Sequence, residues 1–175
     1  MNIVLIGYRG AGKSTVGRML AARAGKKFVD ADDLVEKHYG ASIRDIVQSK
    51  GWQHFRDLEK GAIEEICQGD HLIIAPGGGA VLDPANVQSL KKNGFVIWLK
   101  ADGEVLSRRM NLDPRTPAGR PTLTGKGALE EFQDVLAVRN PYYARAADVQ
   151  VDTSALNLEE VVEKVWSIVQ ERKGA

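Results

Sequence analysis

Near its amino terminus the chain carries a short string whose residue types and spacing suit the binding of phosphate groups. The string Gly7-Tyr8-Arg9-Gly10-Ala11-Gly12-Lys13-Ser14-Thr15 fits the pattern G-x-x-x-x-G-K-[ST]. It follows an apolar run and precedes an amphipathic stretch, as expected for a loop between a strand and a helix. Glycines let the backbone N–H groups turn toward phosphate oxygens, and the helix directs the positive end of its dipole at them.

The side chains of this string add specific contacts to a nucleotide. Lys13 supplies a positive charge for the β- and γ-phosphates, and the Ser14 hydroxyl can ligate Mg²⁺. The sequence therefore predicts a phosphate-binding loop over 7–15. Its predicted ATP contacts are Gly10, Ala11, Gly12, Lys13, Ser14 and Thr15.

Several classes of nucleotide-binding protein share such a loop, and the rest of the chain narrows the choice. A switch GTPase needs an N-K-x-D string to recognise guanine, and a transporter ATPase needs an L-S-G-G-Q signature. The sequence contains neither string. What remains is a small kinase, whose second substrate must be recognised by other residues.

Two acidic residues follow the second apolar run, in the string Phe28-Val29-Asp30-Ala31-Asp32. Residues two apart at a strand end point to the same side, and ligands of such a sheet gather beyond the carboxyl ends of its strands. We therefore expect both carboxylates near the phosphate-binding loop, provided that the second strand neighbours the first. One would hold Mg²⁺ through water and the other would accept a proton from an attacking hydroxyl. The alternative is a capped helix start.

Three further strings could contact the second substrate, and each has a plain structural alternative. Arg56 and Glu59 lie three residues apart on one helix face, where a surface ion pair is the alternative. Gly77–Gly79 follow the third apolar run, and three glycines indicate backbone that approaches a ligand closely. Arg139 begins the string Arg139-Asn140-Pro141-Tyr142-Tyr143, where an exposed helical arginine is the alternative.

In their order and approximate spacing, these strings resemble the shikimate kinase family: the phosphate-binding loop, F-x-D-x-D, F-R-x-x-E, G-G-G, an R-P pair at Arg120-Pro121, and R-x-x-Y. The resemblance covers nearly the whole chain. It implies transfer of the γ-phosphoryl group of ATP to the 3-hydroxyl of shikimate, with Mg²⁺, on the pathway to chorismate and aromatic amino acids. The alternatives are a related gluconate-type kinase and a non-catalytic nucleotide-binding module.

The resemblance also implies a role for each acceptor residue. Arg56 and Arg139 resemble the pair that binds the shikimate carboxylate, a task that suits the guanidinium fork. Asp32 resembles the carboxylate that orients or deprotonates the acceptor hydroxyl, and the Gly78 N–H resembles a backbone contact to the substrate. Glu59 would hold Arg56 in place.

Arg120 matches the family's lid arginine, which closes on the ATP phosphates. Such an arginine contributes roughly 10³–10⁵ in rate where it has been measured in related enzymes. The implied catalytic residues are thus Lys13, Asp32 and Arg120. The implied metal ligands are Ser14 and, through water, Asp30.

These residues must be positioned by strands that alternate with helices. Apolar runs predict strands at Ile3–Ile6, Lys27–Val29, Leu72–Ala75, Phe95–Leu99 and Val149–Val151. Helices are predicted at Lys13–Ala24, Asp32–His38, Ser42–Cys67 with a break at Gly51, Pro84–Lys92, Asp102–Met110, Leu129–Ala146 and Leu158–Glu171. This alternation implies an α/β fold, a three-layer α/β/α phosphate-loop kinase with a central parallel sheet of about five strands. It forms one domain over 1–175, with an acceptor-binding region at about 32–60 and a mobile lid at about 111–126.

Composition excludes several other classes. The 175 residues include 24 Lys+Arg and 23 Asp+Glu, a formal net charge of +1, and 43% are hydrophobic, which argues against disorder and a dedicated nucleic-acid binder. The single cysteine, Cys67, excludes an intrachain disulfide and a multi-cysteine zinc site. No apolar run approaches the ~20 residues that cross a bilayer. We expect a cytoplasmic monomer whose partners are ATP and shikimate, without nucleic-acid or membrane partners.

The near-neutral balance conceals an uneven distribution of charge. Residues 1–27 contain six basic residues and no acidic one, whereas 148–175 contain three basic and six acidic residues. We predict that the positive charge gathers in the segments that contact ATP, which are 1–27 and 108–126.

Overall fold

Five short strands form one parallel sheet at the centre of the computed structural model, which describes residues 1–112 and 128–174. The strands are β1 (Asn2–Ile6), β2 (Lys27–Asp30), β3 (Leu72–Ala75), β4 (Gly94–Lys100) and β5 (Val149–Asp152). Their order across the sheet is β2-β3-β1-β4-β5, and every neighbouring pair is parallel. The predicted parallel α/β sheet is thus confirmed.

The helices connect consecutive strands, except for the last helix, which follows β5. In the described ranges they are α1 (Lys13–Ala24), α2 (Ala31–Tyr39), α3 (Ile43–Ile66), α4 (Pro84–Lys92), α5 (Gly103–Leu112), α6 (Ala128–Ala146) and α7 (Leu158–Gly174), with a 3₁₀ turn at Ala80–Leu82. Helix α1 contacts α7, and α3 contacts α4. Because parallel strands are joined by right-handed crossovers, these two groups cover opposite faces of the sheet.

The predicted element bounds agree with the observed ones to within three residues, because local signals mark most ends. Ser42 caps α3 by accepting from the Asp45 N–H, and Asp83 caps α4 by accepting from the Ala85 N–H. Gly51 interrupts α3 with a φ of +84°, as its glycine predicted.

Burial explains why the central strands consist of continuous apolar runs. All five residues of β1 are buried, as are the four from Val96 to Leu99 of β4. A sheet with helices on both faces leaves no polar side, so its strands do not alternate. A second, smaller apolar cluster joins α2 to α3 and contains Val35, Ile43, Ile46, Val47, Phe55 and Ala62.

The condition set for the acidic pair, that β2 neighbours β1, is not met. Strand β3 lies between them, pairing Ile73 with Ile3 on one side and with Phe28 on the other. Apolar runs do not encode the lateral order of parallel strands, because a crossover can span a strand that comes later in the chain. Helix α1 does so here, passing over β3 on its way to β2.

The predicted lid at 111–126 falls almost entirely outside the described residues, and so does its arginine, Arg120. The exceptions are Asn111 and Leu112, which end α5. Of the helices that the structure describes, none is both long and apolar enough to cross a membrane.

Two helical glycines differ in the room around them, which predicts opposite effects of the same substitution. A Cβ on buried Gly17 would overlap the Phe28 ring, whereas a Cβ on exposed Gly61 meets nothing within 4 Å. We expect Gly61→Ala to stabilise the fold by about 0.5–1 kcal/mol through helix propensity. Gly17→Ala should instead destabilise it by about 1 kcal/mol, because the steric overlap with the Phe28 ring costs more than the alanine gains in helix propensity. Thermal melting of both variants checks this, and equal shifts of the melting temperature would contradict the packing of Phe28 on α1.

Candidate active site

A cleft of about 770 Å³ opens at the carboxyl ends of β1, β2 and β3. Its walls include the phosphate-binding loop from Arg9 to Thr15, the carboxylates of Asp30 and Asp32, and Gly78. Leu156–Leu158 line its far end. The topology thus brings the predicted nucleotide residues and part of the predicted acceptor residues into one cavity, as expected for the carboxyl edge of a parallel sheet.

The phosphate-binding loop has a conformation that requires glycine. Gly10 and Gly12 have φ values of +82° and +90°, in the left-handed region that side chains disfavour. The Lys13 ammonium group donates to the carbonyl oxygens of Gly7 and Tyr8, at 2.9 and 3.3 Å. Gly12 caps α1 without a side-chain hydrogen bond, so the first-turn N–H groups of α1 are available to an anion.

Ser14 and Asp30 meet at the base of the cleft. The Ser14 hydroxyl donates to Asp30 Oδ2 at 2.7 Å, and Asp30 Oδ1 accepts from the Asp32 N–H at 3.1 Å. Asp30 is therefore the N-cap of α2 and Asp32 lies in its first turn, so the predicted same-side geometry of a strand end is wrong. Both carboxylates still line the cleft, because α1 and α2 begin beside each other at this edge.

The Ser14–Asp30 pair fits a magnesium ion by its chemistry. Hydroxyl and carboxylate oxygens are hard ligands, which Mg²⁺ prefers, and Mg²⁺ is commonly held by one or two such groups together with substrate phosphates. Within the described ranges no group of three or more His, Cys, Asp or Glu side chains could hold a metal ion. Phosphate and water oxygens would therefore complete the coordination of an ion here.

The three consecutive glycines, Gly77–Gly79, lie directly against charged side chains. A Cβ on Gly77 would overlap Glu59 Oε1 and lie 2.8 Å from Asp32 Oδ1, and a Cβ on Gly79 would overlap the Arg56 guanidinium. Each of these three glycines has a φ outside the left-handed region. Lack of space, and not an unusual backbone conformation, therefore explains the glycines. The backbone of these glycines does approach other groups closely, but those groups are side chains of the protein and not a ligand.

Arg56 is held by an ion pair and by aromatic rings. Its Nη1 donates to Glu59 Oε2, and its guanidinium lies over the rings of Phe55 and Trp52, at 5.1 and 5.6 Å from their centroids. Glu59 is 1% exposed, so the alternative of a surface ion pair is wrong. Neither residue is among those that line the cleft, and Glu59 instead holds the partly exposed Arg56 side chain beside the glycine segment.

Arg139 reaches the glycine segment from α6. It is 8% exposed and lies over the Tyr8 ring at 5.5 Å, so the alternative of an exposed helical arginine is also wrong. A Cβ on Gly78 would lie 3.7 Å from Arg139 Nη1, in ordinary contact. The two arginines therefore approach adjacent glycines from different helices.

Sequence reasoning missed Tyr143, because the R-x-x-Y string points to Tyr142. The Tyr142 ring faces Arg145 at 4.7 Å, whereas the Tyr143 hydroxyl donates to the Gly78 carbonyl at 2.5 Å. Spacing does not distinguish the two tyrosines, since residues three and four apart from Arg139 both lie on its helix face.

Arg109 was predicted only as one of the basic residues in the ATP-contacting segment 108–126, with no specific role, and it lines the far end of the cleft. Its two terminal nitrogens donate to Thr153 Oγ1 and to the Thr153 carbonyl, at 3.0 and 2.7 Å. Leu112 and Leu156 add apolar surface to the same end. A planar cation beside apolar side chains suits a flat aromatic base.

The predicted gathering of positive charge at the cleft is wrong in part. Of the six basic residues in 1–27, Arg9 and Lys13 line the cleft. Arg18 instead lies 3.4 Å from Asp33, and Arg23 forms an ion pair with Glu163 of α7. The basic start and the acidic end of the chain thus partly neutralise each other where α1 packs on α7.

Comparisons with known proteins agree with this geometry. A family model described as "Shikimate kinase" matches residues 9–170. The chain belongs to the shikimate kinase family. The shikimate kinase of Symbiobacterium thermophilum is 42% identical over 98% of both chains, and that of Syntrophus aciditrophicus is 41% identical over 98% of this chain and 92% of its own. The structure described as "Shikimate kinase from Acinetobacter baumannii in complex with shikimate" has a TM-score of 0.90 and 32% identity, covering 98% of this chain and 94% of that one.

Membership of the shikimate kinase family makes the chain a kinase with a phosphate-loop α/β fold, which confirms both predictions. The comparisons support the predicted shikimate kinase function and neither of its two alternatives, the gluconate-type kinase and the non-catalytic module. The roles of the individual site residues stay predictions.

Burial of Asp30 predicts a stability cost that depends on pH. Burial raises the pKa of the Asp30 carboxyl, nearby Asp32 raises it further, and the Ser14 hydrogen bond only partly opposes this. The folded protein thus binds this proton more tightly than the unfolded chain does. The contribution of the protonated Asp30 carboxyl to the free energy of unfolding is fully present below the ordinary aspartate pKa. It is lost as the pH rises through the raised pKa.

Asp30→Asn keeps a capping oxygen and removes the buried charge. We expect it to melt at a higher temperature than the natural chain at neutral pH, with a difference that vanishes in acid. Glu64→Gln, at an exposed carboxylate of α3 that does not act on Asp30, is the control and should show no such trend. A lower melting temperature for Asp30→Asn at neutral pH would contradict the burial argument.

Proposed function

We propose that this member of the shikimate kinase family transfers the γ-phosphoryl group of ATP to the 3-hydroxyl of shikimate, giving shikimate 3-phosphate and ADP. One observation carries the proposal: Arg56, Arg139 and Asp32 converge on Gly77–Gly79 beside the phosphate-binding loop. Shikimate is a carboxylate with three ring hydroxyls, so it offers a chemical partner to each of these groups. The similar Acinetobacter baumannii enzyme, whose structure is a complex with shikimate, supports the same substrate.

The acceptor end of the cleft would orient shikimate by complementary charge. The Arg56 and Arg139 guanidinium groups bind the carboxylate, because a planar fork donates two parallel hydrogen bonds to it. Asp32 binds the ring hydroxyls and accepts the proton of the attacking one. The Gly78 N–H adds a backbone contact, and Glu59 holds Arg56 in its orientation.

The nucleotide end would hold ATP through the loop from Gly10 to Thr15. Lys13 contacts the β- and γ-phosphates, and the N–H groups at the start of α1 donate to the same oxygens. Ser14 and, through water, Asp30 would hold Mg²⁺. Bound Mg²⁺ neutralises charge that develops on the phosphate oxygens. Arg109, Leu112 and Leu156 would contact the adenine base.

The two ends of the cleft adjoin each other. A Cβ on Gly78 would lie 3.6 Å from both the Arg9 nitrogen and the Gly7 carbonyl oxygen, so a side chain on the glycine segment would contact the phosphate-binding loop. Phosphoryl transfer depends mainly on such positioning and on charge stabilisation, because the protein takes little covalent part.

Further expectations belong to this proposal. Arg120, outside the described residues, would add positive charge at the ATP phosphates, and the segment 111–126 would exclude water from the reaction. Both Arg120 and the segment 111–126 would belong to the single kinase domain predicted for 1–175. A monomeric state and a cytoplasmic location, where ATP is available, stay predictions.

Release of ADP with shikimate as the only acceptor tests the proposed function. With ATP and Mg²⁺ present, we expect ADP to form when shikimate is added and not when gluconate is added, because gluconate lacks the ring that this site would orient. A coupled assay for ADP measures both rates. Acceptor-independent ADP formation, or a preference for gluconate, would contradict the proposal.

Removal of the Arg56 guanidinium tests the assigned acceptor site. We expect Arg56→Ala to raise the KM for shikimate about 100-fold, because hydrogen bonds between charged groups are lost. The KM for ATP should change little. Arg44→Ala, at an exposed arginine of the same helix, is the control and should behave like the natural chain.

Arg56→Ala also leaves Glu59 buried without its ion pair, so melting curves must accompany the kinetics. Arg56→Lys keeps the positive charge and loses the fork, and we expect an intermediate KM. If both Arg56 variants keep the natural KM for shikimate, the assigned site is wrong.

A further inference from the structure

Tyr143 lies at the centre of the packing beneath the acceptor site. It is 1% exposed, and its ring stacks on Trp98 with centroids 5.7 Å apart and an interplanar angle of 29°. Its hydroxyl donates to the Gly78 carbonyl at 2.5 Å, although the two residues are 65 apart in the chain. A buried tyrosine thus bonds directly to the segment that the proposed function assigns to shikimate.

The hydrogen bond completes the restraint of a segment that has no side chains of its own. The Gly77 carbonyl accepts from the Ala80 N–H at 3.0 Å, and the Gly79 carbonyl accepts from the Leu82 N–H at 3.1 Å. Both bonds are local turns of the backbone. The Gly78 carbonyl, between them, accepts from Tyr143. Glycine has the greatest backbone freedom of any residue, so each fixed carbonyl matters for the direction of the peptide units.

Tyr143 and Arg139 act on the same glycine from the same helix. They are four residues apart in α6, so they lie on one face, and Arg139 Nη1 would be 3.7 Å from a Cβ on Gly78. Burial raises the pKa of the Tyr143 hydroxyl, and the nearby positive charge of Arg139 opposes this only in part. The hydroxyl therefore remains protonated and remains a donor at the pH of any assay near neutrality.

We propose that Tyr143 is a positioning residue of the acceptor site: it holds the Gly78 carbonyl, and so fixes the direction of the adjoining N–H groups and the separation of Gly78 from Arg139. This inference rests on the proposed function, because it concerns how shikimate is oriented. Tyr143 itself does not touch the substrate, and its effect passes through Gly78 and Arg139.

The test is Tyr143→Phe, which removes one oxygen and keeps the ring that stacks on Trp98. We expect the KM for shikimate to rise about tenfold, since a buried carbonyl loses its donor and the glycine segment shifts. The KM for ATP should stay the same, because the phosphate-binding loop keeps its own hydrogen bonds. Tyr142→Phe, one residue away, removes a hydroxyl outside the contact with Gly78 and should match the natural chain in both constants.

A merely structural role would give a different pattern. Loss of folded protein lowers the apparent kcat and leaves both KM values unchanged. Calorimetric titration with shikimate adds a dissociation constant that refers only to folded molecules, so partial unfolding of the variant does not obscure the result. An unchanged dissociation constant, or an equal rise in both KM values, would overturn the inference.

Failure of the inference and failure of the proposed function give separate results. If the natural chain releases no ADP with shikimate, the proposed function is wrong and the inference about Tyr143 falls with it. If the natural chain is active and Tyr143→Phe binds shikimate equally well, only the positioning role is wrong.

Discussion

The space beside Gly77–Gly79 is already filled by charged groups, and much of the site depends on this. Glu59 and Asp32 occupy the place of a Cβ on Gly77, and Arg56 occupies that of a Cβ on Gly79. These side chains belong to α2 and α3, whereas the glycines follow β3. A side chain on the loop would separate the helices from the sheet edge. Charges on different elements can converge here only because this segment has none.

Much of the fold could be predicted from the sequence, since its elements have local causes. Apolar runs mark strands buried on both faces, and capping residues such as Ser42 and Asp83 mark helix starts. The lateral order of the strands has no local cause. The nearness of Asp30 to the phosphate-binding loop was therefore predicted on a wrong premise, and it arises because α1 passes over β3 and brings Ser14 to Asp30.

The candidate site could be predicted where residue type alone limits the chemistry, as in the phosphate-binding loop. It could not be predicted where burial decides between alternatives. A surface ion pair and the buried Arg56–Glu59 pair have the same spacing in the sequence, and only the packing of α3 against Gly77–Gly79 distinguishes them. Tyr142 and Tyr143 differ in the same way, because both are near enough to Arg139 and tertiary packing buries one of them.

The pairing of β1 with β3 has a consequence for how the two loops above it respond to substitution. The phosphate-binding loop follows β1 and the glycine segment follows β3, and these strands are hydrogen-bonded neighbours. Neighbouring strands lie about 4.8 Å apart, so the backbone hydrogen bonds of the sheet fix the spacing at which the two loops leave it. A side-chain substitution in β1 or β3 that preserves this pairing therefore leaves the spacing of the two loops unchanged.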